Sequence, residues 1–424
     1  MKKTSQKIEL LAPAGSMEKL KHAIYYGADA LYAGIPDVSM RARINSFTEK
    51  NLEAAAAYAH ERNKKLFVTL NIYAHNYHLD AVMAHLKFLK KINVDGVIVA
   101  DPGILMLVKK YLPNVEIHLS TQANTTNWQA AKFWYDLGVK RVVLAREVTL
   151  EDIKEIHKHV PKLELEYFVH GAMCMSYSGR CILSKWMSGK SANLGDCTQP
   201  CRWGYKQKSE IKAQDYLTME VEEVRGGHGV ELEQDSHGTY FFNSKDMNLI
   251  SHLQELCDAG VTSFKIEGRN KSVFYVANVV RAYRNVLDAI EQKKPKAEIK
   301  KIERWAQKEL DKLANRGYSK GFLLGNEPEH SFFQTDSSNN YQFVGEIISG
   351  EGKDLKVKVH NVLLKTDNLE IITKEKNVPV KILNIASEDG ASVESAHGGH
   401  GKLYTLKINK SGLGEFGLIR KIII

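Results

Sequence analysis

An α/β fold is what this chain predicts: a TIM-like (β/α)8 barrel followed by a small C-terminal antiparallel β-barrel. Three observations predict it. Short apolar runs of strand length recur eight times between residues 8 and 266. The segments between the early runs carry the i, i+3, i+4 apolar spacing of helices. From about Tyr341 the pattern changes to short alternating strands joined by Gly-, Asp- and Asn-bearing turns. Strand and helix in alternation imply a parallel sheet, and eight units favour closure. A doubly wound open sheet is the competing arrangement, because a sequence does not display closure.

The strands are expected, in order, at 8–12, 30–33, 66–70, 97–100, 116–120, 141–145, 163–169 and 263–266, with a further candidate at 239–242. Helical spacing is clearest over 17–26 and 52–62. The turn from Leu11 to Ser16 leads from the first strand into the first helix, so its N–H groups could hold an anion. Between Ser184 and Gly238 the repeat breaks. This stretch is too long for an ordinary barrel loop and is expected to fold over the top face as a lid. A helical region follows Lys271, and its basic run over 293–301, broken by Pro295, marks a joint between helices. Six strands are expected in the last part, at 343–348, 355–359, 369–373, 378–385, 403–408 and 417–422. The chain thus divides into a barrel over 1–270 with an inserted segment over 184–238, a basic helical linker over 271–334 and a small β-barrel over 335–424.

With 43% hydrophobic and 26% charged residues, the composition is that of a globular protein. No stretch reaches the roughly 18 apolar residues of a membrane span. Met1-Lys2-Lys3 imitates the start of a signal peptide, but the apolar run after it is short and interrupted by charge, so a cytoplasmic protein is expected. The net charge is +9, and residues 271–320 hold 13 Lys/Arg against 6 Asp/Glu, which places +7 there. Phosphate backbones suit such a surface; a solvated lysine-rich helix is the plainer reading.

Four of the five cysteines, Cys174, Cys181, Cys197 and Cys201, fall within 28 residues. In a reducing compartment such clustering indicates a bound metal or thiol chemistry rather than disulfides. The spacing Cys-x6-Cys-x15-Cys-x3-Cys contains only one short knuckle of the structural-zinc kind. Irregular spacing suits an iron–sulfur cluster; zinc and redox thiols stay open. Gly171, Gly179, Gly189 and Gly195 allow close wrapping, and Arg180 and Arg202 offset negative charge. Cys257 lies in a helical pattern with Leu253 and Leu256 and reads as a buried structural thiol.

In a barrel of this kind, functional residues stand at the C-terminal ends of strands. Those positions hold Asn71, Asp101, Gln122, Arg146, Glu147, His170, Lys245, Asp246, Lys265, Glu267 and Arg269. Together they suggest a polar pocket for an anionic small molecule or a base. His170 with Cys174 could also form a thiol–imidazole pair, whereas no nucleophile elbow or HExxH motif is present.

Several segments coincide with one family. Glu9-Leu-Leu-Ala-Pro-Ala-Gly15 and Gly27-Ala-Asp-Ala-Leu-Tyr32 resemble its opening, and His170-Gly-Ala-Met-Cys-Met-Ser-Tyr-Ser-Gly-Arg-Cys181 its central signature. Gly195-Asp-Cys-Thr-Gln-Pro-Cys-Arg202, Asn243-Ser-Lys-Asp246 and Phe264-Lys-Ile-Glu-Gly-Arg269 complete the match. The chain is identified as a member of the peptidase U thirty-two family, whose members were first described as collagenases. Its nearest branch is similar to the prephenate-dependent tRNA uridine hydroxylases. Other relatives hydroxylate ribosomal RNA cytidine or ubiquinone.

The resemblance implies hydroxylation of wobble uridine in tRNA, a prephenate-like carboxylate donor and a 4Fe–4S cluster on Cys174, Cys181, Cys197 and Cys201, with zinc as the alternative metal. The quinone factors take one ligand from a more distant cysteine. Asn248 stands near that place here, which leaves Cys201 as the fourth ligand and Cys257 in reserve. Arg146, Arg180, Lys245, Lys265 and Arg269 become candidates for holding carboxylates. His170, Glu147, Asp246 and Glu267 become candidates for acid–base work. A collagenase-like peptidase is the alternative activity.

Overall fold

The computed structural model describes residues 8–39, 47–173, 181, 183–192, 197–203, 205–213, 216–223, 229–235, 238–239, 245–315, 317–325, 340–399 and 401–423. The first seven units alternate strictly: β1 (Glu9–Ala14), α1 (Met17–Tyr26), β2 (Ala30–Gly34), α2 (Glu49–His60), β3 (Lys65–Leu70), α3 (Leu79–Lys91), β4 (Gly96–Val99), α4 (Pro102–Tyr111), β5 (Glu116–Leu119), α5 (Trp128–Asp136), β6 (Arg141–Val143), α6 (Leu150–His159) and β7 (Glu164–Ala172). Helix starts are fixed locally. The side chains of Ser16, Thr48, Asp101, Asn127 and Thr149 each accept a hydrogen bond from the amide three residues on. That satisfies a donor the first helical turn would otherwise leave unmet.

After β7 come α7 (Leu183–Ser188), β8 (Tyr205–Ala213), β9 (Tyr216–Glu223), β10 (Gly229–Asp235) and β11 (Gly238–Thr239). The four strands form an antiparallel sheet of their own. This sheet occupies most of the segment expected to fold over the top face as a lid, and among the described residues no strand pairing joins it to the barrel. Of the strand expected at 239–242, only Thr239 is described. The chain then continues as β12 (Asp246–Asn248), α8 (Leu253–Asp258), β13 (Val261–Ile266), α9 (Val273–Glu291), α10 (Lys296–Leu310) and β14 (Tyr318–Ser319).

The barrel closes. β1 to β7 pair in parallel in chain order, and β13 pairs in parallel with both β1 and β7, Glu9 opposite Ser263 and Tyr167 opposite Phe264. The open doubly wound sheet is thereby excluded. β12 adds antiparallel to the end of β7, with Asn248 opposite His170 and Asp246 opposite Ala172, and β14 pairs with β12. The helix α9, which the sequence assigns to a basic linker, is instead the eighth barrel helix. Sixteen of its nineteen residues are buried. Its basic neighbour is α10, entered through Pro295 as expected. No helix among the described residues is long and apolar enough to cross a membrane.

The C-terminal part contains β15 (Tyr341–Glu351), β16 (Asp354–Val359), β17 (Leu363–Leu364), β18 (Leu369–Ile372), β19 (Asn377–Val380), β20 (Ile382–Ala386), β21 (Ser392–Val393), β22 (Ser395–Ala396), β23 (Leu403–Ile408) and β24 (Leu418–Ile422). The expected small barrel needs correction. Eight of these strands form one antiparallel sheet in the order β19-β18-β24-β15-β16-β23-β20-β21, and no ladder joins its ends, so the sheet is not closed. The strand expected over 378–385 breaks at Lys381, and its halves, β19 and β20, pair with different neighbours.

This sheet is docked on the barrel by polar contacts that are themselves buried. Tyr26 Oη donates to the carbonyls of Ile372 and Phe416 at 2.8 and 3.0 Å. Arg420 of β24, 0% exposed, pairs with Glu309 of α10 at 3.0 Å and with Glu370 of β18. Burial would raise the Glu309 carboxyl, but Arg420 and Lys312 hold it below its usual range. Removing one member of a buried pair leaves an uncompensated charge. Arg420→Met should therefore lower unfolding free energy by about 3–5 kcal/mol in urea denaturation; a loss under about 1 kcal/mol would show that this pair does not hold the parts together.

Candidate functional site

The ends of β6, β7 and β13 converge at one mouth of the barrel. Two glycines set its shape. A Cβ on Gly15 would lie 2.1 Å from the Arg269 carbonyl oxygen, and one on Gly171 would lie 2.7 Å from the Glu267 carbonyl oxygen. The turn Glu267-Gly268-Arg269 is therefore gripped between the ends of β1 and β7 at distances only glycine permits. Lys19 Nζ donates to the Arg269 carbonyl at 3.1 Å, and Glu267 N–H donates to the His170 carbonyl at 2.9 Å.

On this frame Arg146 Nη2 donates to Glu267 Oε2 at 3.1 Å, and the guanidinium lies 4.0 Å from the Phe168 ring centre. Arg269 Nη1 donates to Thr69 Oγ1 at 3.2 Å. From Thr69 the polar rim continues through Asn71, whose Nδ2 donates to Ser120 Oγ at 3.4 Å, to Gln122, whose Oε1 accepts from Ser120 at 3.3 Å. Arg146, Glu267, Arg269, Asn71 and Gln122 thus share the rim that the sequence predicts. Glu147 follows Arg146 and raises the Tyr167 hydroxyl further beyond what burial does.

Two predicted residues are placed differently. Lys265 lies inside the barrel, 4% exposed, and donates to Glu166 Oε1 at 2.6 Å. His170 is 1% exposed, ringed by Tyr275, Tyr283 and Tyr318 at 5.4–5.8 Å between ring centres, with Nδ1 3.2 Å from Tyr283 Oη. Burial, with Lys271 nearby, pushes its pKa down to about 3. The imidazole is neutral at physiological pH. Asp246 sits in the same wall, 5% exposed, and its backbone N–H donates to the Gly317 carbonyl. Lys245 packs along Gly317.

Of the cysteine set, Cys174, like Arg180, lies outside the described residues. Cys181 precedes α7 by two residues, and Cys197 and Cys201 flank a turn tied to that helix. Thr198 N–H donates to Ser184 Oγ at 3.0 Å, Ser188 Oγ lies 2.8 Å from Thr198 Oγ1, and Trp203 Nε1 donates to the Thr198 carbonyl at 3.1 Å. All three thiols are partly exposed. Among the described residues no disulfide forms, and no group of three or more metal-ligating side chains is assembled. Cys257 is held in α8, and burial, with Asp258 and Glu291 nearby, pushes its thiol up to about 12.

A cavity of about 370 Å³ opens at the opposite end of the barrel. Its charges are already paired, Lys64 with Asp29 at 3.5 Å, Arg141 with Glu164 at 2.8 Å and Lys65 with Glu116 beyond the lining at 3.6 Å.

A family model described as peptidase family U32 matches residues 15–332, and one for the C-terminal domain of that family matches residues 339–420. tRNA hydroxylation protein P of Haemophilus influenzae is 38% identical over 94% of this chain and 93% of its own length. tRNA hydroxylation protein P1 of Bacillus subtilis is 38% identical over 92% and 90%. A collagenase of Porphyromonas gingivalis is 34% identical over 75% and 73%.

One polar residue of this region, Glu166, escapes a reading by strand ends. Its signal is the alternation Glu164-Leu165-Glu166-Tyr167, which turns carboxylates toward the lumen. Glu166 is 0% exposed, and although burial alone would raise it, Lys265 and Arg141 hold its pKa at about 2. A carboxyl depressed in the fold stabilises above its unfolded pKa of 4.5, and that stability is lost as pH falls toward 2. Glu166→Gln should be strongly destabilised at pH 7. Between about pH 6 and pH 3 it should lose on the order of 2 kcal/mol less than the wild type in urea denaturation. Parallel acid limbs for the two proteins would refute the assignment.

Proposed function

The chain belongs to peptidase family U32, and from that membership we propose that it hydroxylates tRNA, converting wobble uridine to 5-hydroxyuridine with a prephenate-type donor. The observation that carries this reading is 38% identity to a tRNA hydroxylation protein over 94% of the chain. Replacing C5–H by C5–OH is a two-electron oxidation, so the site needs an oxidising partner that peptide hydrolysis does not.

The cysteine set fits a 4Fe–4S cluster in donor chemistry. Four thiolates are the ligands such a cluster takes, and Cys181, Cys197 and Cys201 are all partly exposed and form no disulfide. Cys257 fits poorly, because its buried thiol keeps its proton. With Cys174, these three residues would hold the cluster, which supplies redox-active iron when bound. Arg146 and Arg269, at the rim, are suited to the donor's carboxylates, with Arg180 and Lys245 as further candidates. Lys265 is neutralised by Glu166 and contributes by keeping Phe168 and Tyr32 in place under the rim. Glu267, with Glu147 and Asp246 as alternatives, is the candidate proton acceptor.

Peptide hydrolysis, the activity named for the Porphyromonas relative, is supported less well. Its candidate base, His170, is buried among tyrosines with its pKa pushed down to about 3, which makes it a weak proton acceptor. The deciding measurement is mass spectrometry of tRNA nucleosides from cells lacking the gene, complemented with wild type, Cys174→Ala, Cys181→Ala or Arg146→Met. Derivatives of 5-hydroxyuridine should vanish in the deletion and return only with wild type. Unchanged nucleosides would overturn the reading and turn attention to ribosomal RNA, quinone and peptide substrates.

A further inference from the structure

The net charge of residues 271–320 is not spread evenly over their surface. In α10, Lys296, Lys300, Arg304 and Lys308 follow one another at four-residue intervals, and all four are exposed. The helix buries the other side, through Ile299, Ala306, Glu309 and Leu310. Four cations at this spacing form a single stripe, with steps of about 6 Å and a total length of about 18 Å.

On other helices several exposed lysines are paired: Lys132 with Asp136, Lys154 with Glu151 and Lys158 with Glu155. Among the described residues none of the four stripe cations makes an ion pair. Of the acidic neighbours, Glu298 is taken by Lys294, Asp311 accepts from Gln307 at 2.7 Å, and Glu303 lies beside Lys300 outside ion-pair distance. Like charges four residues apart destabilise a helix by a few tenths of a kcal/mol per pair, so the arrangement costs stability without an internal return.

The stripe also has a direction. Gln307, beside its last cation, accepts from Asn248 Nδ2 at 3.0 Å, and Asn248 lies opposite His170 at the mouth-side end of β7. None of the large exposed apolar side chains lies on α10, so nothing there would insert into a lipid surface. A polyanion strand fits, since about 18 Å matches roughly five phosphates of one strand.

We infer that Lys296, Lys300, Arg304 and Lys308 form a rail for the RNA backbone, leading the substrate strand to the rim of the barrel mouth. The inference rests on the tRNA reading above for the identity of the polyanion. It is tested by the binding of unmodified tRNA transcript to the full-length protein, measured by fluorescence anisotropy across a potassium chloride series. The variant carries Lys296→Gln, Lys300→Gln, Arg304→Gln and Lys308→Gln. A control loses equal charge elsewhere, through Lys87→Gln, Lys90→Gln, Lys353→Gln and Lys410→Gln, all exposed.

The stripe variant should bind at least about tenfold more weakly near 0.1 M salt, and its slope of log affinity against log salt should shrink by about 3. The control should keep most of both. Equal binding by stripe variant and wild type would overturn the rail, as would equal losses in stripe variant and control. So would a wild-type preference for phosphatidylserine vesicles over tRNA. Failure of the hydroxylation reading shows separately, as unchanged nucleosides in the deletion strain while the binding difference persists.

Discussion

Closure of the barrel rests on charge buried inside it. Arg141 of β6 reaches across the lumen to Glu9 of β1, to Glu164 and Glu166 of β7 and to Ser263 of β13. Four strands around the point of closure are thus joined by one guanidinium. Glu166 receives Lys265, Arg141 and Ser263 together. The rest of the lumen holds Leu11, Ala30, Tyr32, Phe67 and Ile98, with the buried His118 ring against Phe67 at 4.5 Å between ring centres. Buried ions are tolerable only when every lone pair and proton is met, and here the two halves of the lumen meet where Lys265 lies 4.6 Å from the Tyr32 ring centre.

That interior has a consequence for the site. The lumen cations are already neutralised by lumen carboxylates, so an incoming anion gains little from them. The rim is different: Arg146 and Arg269 sit on short turns whose position is dictated by neighbouring backbone, through Gly15 and Gly171. A side chain at either glycine would push the 267–269 turn outward and carry both the Glu267–Arg146 pair and the Arg269–Thr69 contact with it. The geometry of the rim is thus a backbone property before it is a side-chain one.

How legible this was differs by element. All eight barrel strands stand in the sequence as apolar runs, because both faces of a closed parallel sheet are covered. The polar alternation in Glu164–Tyr167 and Ser263–Ile266 marks a charged lumen rather than a strand end. Lys265 lies next to the end of its strand along the chain, yet its face of the strand turns into the lumen, which position along the chain alone does not reveal. α9 reads as basic because Lys271, Lys293 and Lys294 flank it, while its own arginines, Arg281 and Arg284, are buried against Asn377 and Asp29. The failure of the C-terminal sheet to close lies in pairing between distant short strands, which periodicity does not encode.

The joint between α10 and its surroundings ties these parts together. Successive helix residues point about 100° apart, and three in a row are used in three directions. Gln307 bonds Asn248 beside the mouth, Lys308 faces outward, and Glu309 pairs with Arg420 of the C-terminal sheet. A helix fixed on two sides holds its third face in a set position relative to both. The exposed cations therefore keep a defined distance to the rim without any contact of their own to supply it. Loss of the Glu309–Arg420 pair would free the C-terminal side of that clamp while leaving the Asn248 side in place, so the mouth depends on the C-terminal sheet through one turn of one helix.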